Sequence, residues 1–263
     1  MAKRSAQARR RQQRQQGAYG AQYEESYEGD NIRRLFDEPQ WSPLGPDRGP
    51  HAERDRKYRK NIRAHNPAQQ SLIEAIDSAP LVFAAGAAGT GKTYIAVAKG
   101  VEALEAGRVR RIVLSRPAVE AGESLGFLPG DMEEKLSPYL RPPYDALCDR
   151  ISGKRLKALI AEGVIEIAPI AYMRGRTLNN AYIVIDEAQN CTYGQLKMLL
   201  TRLGWSSTMV VTGDPAQTDL LPGISGLEEA IKRLESLEQV ASVRFSRADV
   251  VRHPLVAEMI DAL

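Results

Sequence analysis

A glycine-rich octapeptide, placed between an apolar run and a helical pattern, constrains the fold more than any other part of this 263-residue chain. It occupies residues 86–93 and reads Gly-Ala-Ala-Gly-Thr-Gly-Lys-Thr. Residues 81–85 before it are apolar and follow Pro80, which predicts a short buried strand. Residues 93–106 after it carry apolar side chains at helical spacing and end before Gly107, which predicts a helix. A buried strand that turns sharply into a helix is a building unit of α/β sheets.

The same alternation continues along most of the chain. Further strands are predicted at residues 111–115, 164–170, 181–186, 208–212 and 240–245, and helices at 194–203 and 226–237. Strands that alternate with helices form a mostly parallel sheet covered on both faces, so the predicted fold class is a three-layer α/β domain. Residues 117–150 break the rhythm with many Gly and Pro residues, and we expect a functional loop or an inserted subdomain there.

Residues 1–60 differ in composition from the rest. Six basic residues and no acid fall within residues 1–15, and Tyr residues among acids and then a Pro/Gly-rich stretch follow. Hydrophobic periodicity is nearly absent, so we expect a basic, mostly disordered extension with a docking helix near residues 31–37. A solvated end is the simplest interpretation of the basic arm, and electrostatic contact with an RNA or DNA backbone is the alternative. The folded domain is expected over residues 61–263.

Composition excludes several classes of protein. Apolar residues make up 43% and charged residues 26%, as in ordinary globular proteins. No apolar run approaches the length of a membrane span, and no apolar region follows the basic start as it would in a secretory signal. The two cysteines, Cys148 and Cys191, form neither a metal-binding spacing nor a disulfide framework. We expect a cytoplasmic protein without membrane contact.

The octapeptide matches the pattern G-x-x-x-x-G-K-[ST], which binds nucleotide phosphates when it follows a strand and opens a helix. Glycines let successive backbone N–H groups point at an anion, and the helix N-terminus adds partial positive charge. Lys92 is expected to reach the β- and γ-phosphates, and the Thr93 hydroxyl to bind Mg²⁺. A Gly/Ala-rich turn with a surface lysine is the alternative, but it leaves the flanking strand and helix unexplained. The predicted nucleotide-binding residues of the loop are Gly86, Ala87, Ala88, Gly89, Thr90, Gly91, Lys92 and Thr93.

Two acids stand at the end of the predicted strand at residues 181–186. Ligands of open α/β sheets bind at this end of the strands. We expect Asp186 to hold Mg²⁺ directly or through water, and Glu187 to act as the general base toward water. A base beside the metal-binding acid suits attack by water, which favours a hydrolase over a small-molecule kinase. Acids after an apolar strand are common by themselves, and the octapeptide upstream is what makes them candidates for catalysis.

Two glutamines extend the predicted site. Gln217 follows a Gly-Asp-Pro turn after a predicted strand, and we expect it to sense the γ-phosphate; a turn without chemistry is the alternative. Gln69 carries a donor and an acceptor that match the edge of adenine. Asn66 and Pro67 before it are also the pattern of a helix cap and first helical residue, and both interpretations are compatible.

Several arginines have no obvious acidic partner in the sequence. One of them is expected to stabilise charge on the γ-phosphate in the transition state, in cis or across a subunit interface. A surface or structural role is the alternative for each. The candidates are Arg116, Arg174, Arg176, Arg247 and Arg252, of which Arg247 and Arg252 are assigned to catalysis.

Taken together, these stretches resemble the PhoH-like family of superfamily 1 helicase-like P-loop ATPases. The resemblance covers about residues 60–263 and rests on NPAQ at 66–69, GAAGTGKT at 86–93, SRPAVEAGESLGFLPGD at 115–131, MRGRT at 173–177, YIVIDEAQN at 182–190, TGDPAQTDL at 212–220 and RADVVRHP at 247–254. It implies a single RecA-like core, ATP as the nucleotide, and Gln69 as the adenine reader. It further implies a homo-oligomer, as a hexameric ring, and a role in RNA metabolism beside an endoribonuclease or a ribosome-associated partner. The sequence departs from two-core helicases in having one core, so unwinding would require assembly.

The leading hypothesis is an RNA-associated ATPase that works as an oligomer. The alternative is a nucleotide-gated protein-interaction module with little turnover, in which ATP sets shape or assembly. A small-molecule kinase fits least, because the acids favour water activation and the sequence offers no obvious acceptor pocket.

Overall fold

Residues 62–117, 142–251 and 259 are described by the computed structural model. The N-terminal extension with its predicted helix near residues 31–37, most of the 117–150 segment and Arg252 lie outside the described residues. Within the described ranges, no helix is long and apolar enough to cross a membrane.

A six-stranded sheet forms the centre of the domain, and every pair of neighbouring strands runs parallel. The order across the sheet is β3-β2-β4-β5-β1-β6. The strands are β1 (Leu81–Gly86), β2 (Arg111–Arg116), β3 (Ile165–Pro169), β4 (Ala181–Ile185), β5 (Thr208–Gly213) and β6 (Val240–Phe245). All six predicted strands and the parallel α/β class are therefore confirmed, and β5 lies between β1 and β4.

Five helices pack around these strands within the described ranges; the first precedes β1 and the other four connect strands. They are α1 (Pro67–Ser78), α2 (Lys92–Glu105), α3 (Gly153–Ala161), α4 (Tyr193–Leu200) and α5 (Leu227–Leu234); residues 142–148 are helical as well. Short 3-10 turns follow three of the strands, at Ile170–Met173, Ala188–Asn190 and Arg247–Asp249. The predicted helix start before α1 is confirmed, because the Asn66 side chain accepts a hydrogen bond from the Gln69 backbone N–H and Pro67 is the first helical residue.

Two apolar layers enclose the sheet. Along β4, Tyr182 and Val184 pack into the layer formed with α1 and α2, while Ile183 and Ile185 pack into the layer formed with α4 and α5. Because both faces are covered there, β1 and β4 are continuous apolar runs in the sequence. The predicted three-layer arrangement is confirmed.

Neither cysteine takes part in a disulfide. Burial raises the pKa of Cys148 to about 11 and the pKa of Cys191 to about 12. Both thiols therefore stay protonated near neutral pH, and since the thiolate is the reactive form, neither is activated.

Close contact between α2 and the sheet depends on Gly100. A methyl group at this position would lie 2.7 Å from Cδ1 of the buried Tyr182 ring. We expect Gly100→Ala to lower the free energy of unfolding by about 1–3 kcal/mol, because the overpacking exceeds the gain in helix propensity. Gly194→Ala in α4 is the control: its nearest neighbour atom would lie 4.0 Å away, so we expect a stability gain of up to about 1 kcal/mol. Urea unfolding measures both, and a Gly100→Ala variant as stable as the parent would contradict this packing.

Candidate functional site

The octapeptide forms a tight loop between β1 and α2. Gly86 has φ +132°, and a methyl group there would lie 1.9 Å from the carbonyl oxygen of Phe245. Gly91 has φ +85°, and a methyl group there would lie 3.0 Å from Nε2 of Gln69. Only glycine fits both the backbone angles and the space, so the glycines of the pattern are explained by the shape of the loop.

Lys92 lies beneath this loop and is 7% exposed. Its Nζ donates hydrogen bonds to the carbonyl oxygens of Gly86 and Ala87, each at 2.7 Å. Burial lowers the pKa of the Lys92 ammonium, and the carboxylates of Asp214, Glu187 and Asp186 oppose that shift. The Lys92 ammonium is thus hydrogen-bonded to the same loop whose bound phosphates it is predicted to contact.

A cavity of about 290 Å³ opens at the mouth of the loop, at the carboxyl ends of β1, β4 and β5. Its walls come from the loop, from the start of α2 and from the segments after β4 and β5. The lining residues are Ala88, Gly89, Gly91, Lys92, Thr93, Tyr94, Asp186, Glu187, Gly213, Asp214 and Gln217. The predicted phosphate, metal, base and sensor residues therefore share one cavity.

Thr93 and Asp186 form a direct pair. The Thr93 hydroxyl donates to Oδ1 of Asp186 at 2.7 Å, and the Thr212 hydroxyl donates to the same oxygen at 2.6 Å. A hydroxyl and a carboxylate are the hard oxygen donors that Mg²⁺ prefers, so the pair fits this ion. No group of three or more His, Cys, Asp or Glu side chains in the described ranges could hold a metal. An Mg²⁺ ion here would complete its coordination with phosphate oxygens and water.

Glu187 is held from two sides. Its backbone has φ 53° and ψ 41°, a left-handed conformation that is uncommon for a residue with a side chain. Nη2 of Arg116 donates to Oε1 at 3.1 Å, and Nε2 of Gln189 donates to Oε2 at 2.5 Å. The carboxylate lines the cavity while a donor engages each of its oxygens.

Gln189 and Asp214 join the segments around the cavity. The Gln189 side chain accepts from the Asp214 backbone N–H at 3.0 Å and contacts the Gln217 carbonyl oxygen at 3.3 Å. Oδ2 of Asp214 accepts from the Ala88 backbone N–H at 3.0 Å, so β5 is tied directly to the loop. Sequence reasoning missed Arg116 as the partner of Glu187, and it missed Gln189 and Thr212. It predicts Asp214 at this edge of the sheet, after the strand that precedes Gln217, but gives it no role. A sign of Gln189 and Asp214 is their position in the polar stretches that follow β4 and β5, whereas Thr212 and Arg116 belong to strands themselves.

The other predicted residues lie at different distances from the cavity. Gln217 is exposed at its rim. Gln69 is buried under the loop, where its amide donates to the Thr90 carbonyl and accepts from the His65 backbone N–H. Its role as the adenine reader stays a prediction.

The predicted arginines differ in what they contact and in how close they lie to the cavity. Arg247 lines a neighbouring cleft of about 380 Å³ on the other side of the loop, together with Asp214 and Gln217. Arg176 pairs through both guanidinium nitrogens with Glu166, away from the cavity. Within the described residues, Arg116 is the candidate that contacts the predicted catalytic acids.

Comparison with known proteins identifies the family. The family profile described as PhoH-like protein matches residues 61–263. The chain belongs to the PhoH-like protein family. A PhoH-like protein of Bacillus subtilis (strain 168) is 53% identical over 204 residues, which are 77% of this chain and 64% of that protein. Protein PhoH of Escherichia coli (strain K12) is 48% identical over 212 residues, which are 80% of this chain and 60% of that protein. The match thus spans less than two thirds of each relative.

Solved structures with a related arrangement belong to larger chains. The large terminase of a thermophilic bacteriophage is 11% identical with a TM-score of 0.47, covering 76% of this chain and 50% of that one. The Sulfolobus solfataricus SWI2/SNF2 ATPase core in complex with dsDNA is 16% identical with a TM-score of 0.44, covering 78% and 52%. From its own sheet and loop, the chain has a RecA-like P-loop fold.

Lys92→Ala tests the loop as a phosphate site. We expect ATP affinity to fall at least about 100-fold, because a charged hydrogen bond is worth about 1.5–3 kcal/mol and the ammonium would contact more than one phosphate oxygen of bound ATP. Stability without nucleotide should change little, since water can bind the freed carbonyls. Lys99→Ala is the control, because Lys99 is an equally buried lysine of α2 that pairs with Asp77 and Glu102 instead. Calorimetric titration and thermal unfolding measure the two effects. A large loss of thermal stability in Lys92→Ala would argue for a structural lysine.

Proposed function

We propose that this chain binds ATP with Mg²⁺ and hydrolyses it. The observation that carries the proposal is the single cavity that contains the phosphate loop, the Thr93–Asp186 pair and the carboxylate of Glu187. Backbone N–H groups of the loop and the N-terminus of α2 supply donors for phosphate oxygens. Each element needed for attack of water on a terminal phosphate thus has a residue in place.

Different residues of the cavity have different roles in the proposed hydrolysis. The loop and Lys92 bind and orient the β- and γ-phosphates, while Thr93 and Asp186 hold Mg²⁺. When bound, Mg²⁺ neutralises charge that develops on the phosphate oxygens. Glu187 orients the attacking water and takes its proton. Gln217, at the rim of the cavity, senses the γ-phosphate, and Gln69 reads the base from beneath the loop.

We further propose that the ATPase acts on RNA. A groove of about 870 Å³ opens at the same edge of the sheet, and its lining mixes polar and apolar side chains with the cationic Arg174. It is lined by Pro117, Pro169, Ile170, Ala171, Arg174, Asn190, Thr192, Gly194, Gln195, Met198 and Leu220. Arg174 can contact a phosphate or stack on a base. The basic arm at residues 1–15 adds sequence-independent attraction.

The groove is linked to the cavity by a reciprocal hydrogen-bonded pair. The Asn190 amide donates to Asp219 Oδ2 at 2.8 Å and accepts from the Asp219 backbone N–H at 2.8 Å. Asn190 lines the groove, and Asp219 follows Gln217 at the cavity rim. A strand bound in the groove would therefore contact the segment that reaches the γ-phosphate position, which supports coupling of RNA binding to hydrolysis.

Assembly is the remaining part of the proposal. The chain forms a homo-oligomer, as a hexameric ring in the cytoplasm, with an endoribonuclease or a ribosome-associated protein as partner. Arg247 is exposed beside the loop. From the sequence, Arg247 and Arg252 are assigned to act on nucleotide at a subunit contact. The sequence resemblance supports these assignments.

The alternative function is a nucleotide-gated interaction module. The observation that favours it is the Asn190–Asp219 link, which would transmit the nucleotide state to the groove whether or not ATP is hydrolysed. In this case a protein segment would occupy the groove, and turnover would be negligible.

The Glu187→Gln variant distinguishes the RNA-stimulated ATPase from the interaction module. We expect wild-type phosphate release to rise with single-stranded RNA and to fall at least about 100-fold in Glu187→Gln, because removal of the base affects the chemical step. ATP affinity should be retained. The measurement is phosphate release with and without RNA, at low and moderate salt. Turnover that is indifferent to RNA would remove the RNA assignment, and tight ATP binding without turnover would support the interaction module.

A further inference from the structure

Strand pairing brings Arg116 to the catalytic acids. Arg116 is the last residue of β2, and β2 pairs with β4 so that Ser115 lies opposite Ile185. The backbone N–H of Asp186 then donates to the Ser115 carbonyl at 2.9 Å. The arginine side chain therefore starts from a fixed backbone position directly beside Asp186 and Glu187.

The guanidinium lies against both acids. Nη2 is 3.1 Å from Oε1 of Glu187, and Nη1 is 4.0 Å from Oδ2 of Asp186. The Arg116 side chain is 20% exposed and that of Glu187 is 35% exposed, so the pair is partly shielded from water. Glu187 faces the cavity, whereas Arg116 reaches it from the β2 side and is not among the residues that line the cavity.

We propose that Arg116 is a positioning residue for ATP hydrolysis, and that with Gln189 it clamps the Glu187 carboxylate in the orientation that accepts a proton from water. This inference rests on the proposed ATPase function. A glutamate side chain has three rotatable bonds, and a free carboxylate would sample many positions. A donor on each oxygen removes that freedom, and the positive charge of Arg116 offsets the repulsion between the two acids and an incoming polyphosphate.

Arg116 has a matched counterpart outside the site. Arg176 forms an ion pair with Glu166, and neither residue lines the cavity. Arg176→Gln therefore removes a comparable partly buried ion pair without touching the proposed clamp. This variant therefore measures how the loss of such an ion pair affects the fold, with the clamp intact.

The test is a double-mutant cycle on ATP turnover by the full chain. We expect Arg116→Gln to lower kcat about 10- to 100-fold, as expected when a reacting group is misplaced by about 1 Å. In a Glu187→Gln background the same change should cause no further loss of kcat, because Arg116 acts through Glu187. Arg116→Lys should keep KM near the parent value while kcat stays low, since one ammonium supplies the charge without the geometry of the guanidinium. Arg176→Gln should leave kcat unchanged.

Two results would overturn the clamp while leaving the ATPase function intact. The first is a parent-like kcat in Arg116→Gln. The second is a further loss of kcat in the Glu187→Gln background, which would mean that Arg116 acts directly on phosphate. Absence of turnover in the wild-type chain is a different outcome, because it overturns the proposed function and the clamp with it.

Discussion

Parallel pairing of β4, β5 and β1 is the constraint on which the site depends. Parallel strands place their carboxyl ends at one edge, and the register that aligns Ala85 with Gly213 brings the phosphate loop beside Asp214. The next pairing brings the acids after β4 to the same edge. Three carboxylates thus gather around one cavity; Arg116 lies against two of them, and Lys92 attracts all three electrostatically. Neutral donors from Thr93, Thr212 and the Ala88 backbone also hydrogen-bond these carboxylates, which lowers the cost of their burial.

The strained backbone conformation of Glu187 at this edge is maintained by the same hydrogen bonds. A left-handed residue other than glycine costs about 1–2 kcal/mol, and Glu187 adopts this conformation immediately after β4. The strain persists because Arg116 and Gln189 hold the side chain and the Asn190 backbone N–H donates to the Glu187 carbonyl. Strained residues held in this way are common where a reacting group must be oriented before its substrate arrives.

The sequence predicts the local units well because they depend on neighbouring residues. Apolar runs identify the six strands, and the loop pattern with Asp186 and Glu187 identifies the cavity. The partners of those acids depend on which strands are adjacent, and local patterns carry no information on strand order. Arg116 is therefore recognised as an unpaired arginine but not as the partner of Glu187, which lies 71 residues later. Helix α3 is not among the predicted helices, although Leu156, Leu159 and Ile160 recur at helical spacing.

Two adjacent residues after β4 contact two different surfaces, the cavity and the groove. Gln189 contacts Glu187 and the Asp214–Gln217 turn, while Asn190 pairs with Asp219 and lines the groove. Phosphate in the loop would compete with the loop carbonyls for Lys92, and it would compete with Asp214 for the Ala88 N–H. Movement of Asp214 would shift Gln189 and the turn, and the Asn190–Asp219 pair would carry that shift to the groove. Coupling between the two surfaces therefore needs no separate element, because a few consecutive residues belong to both.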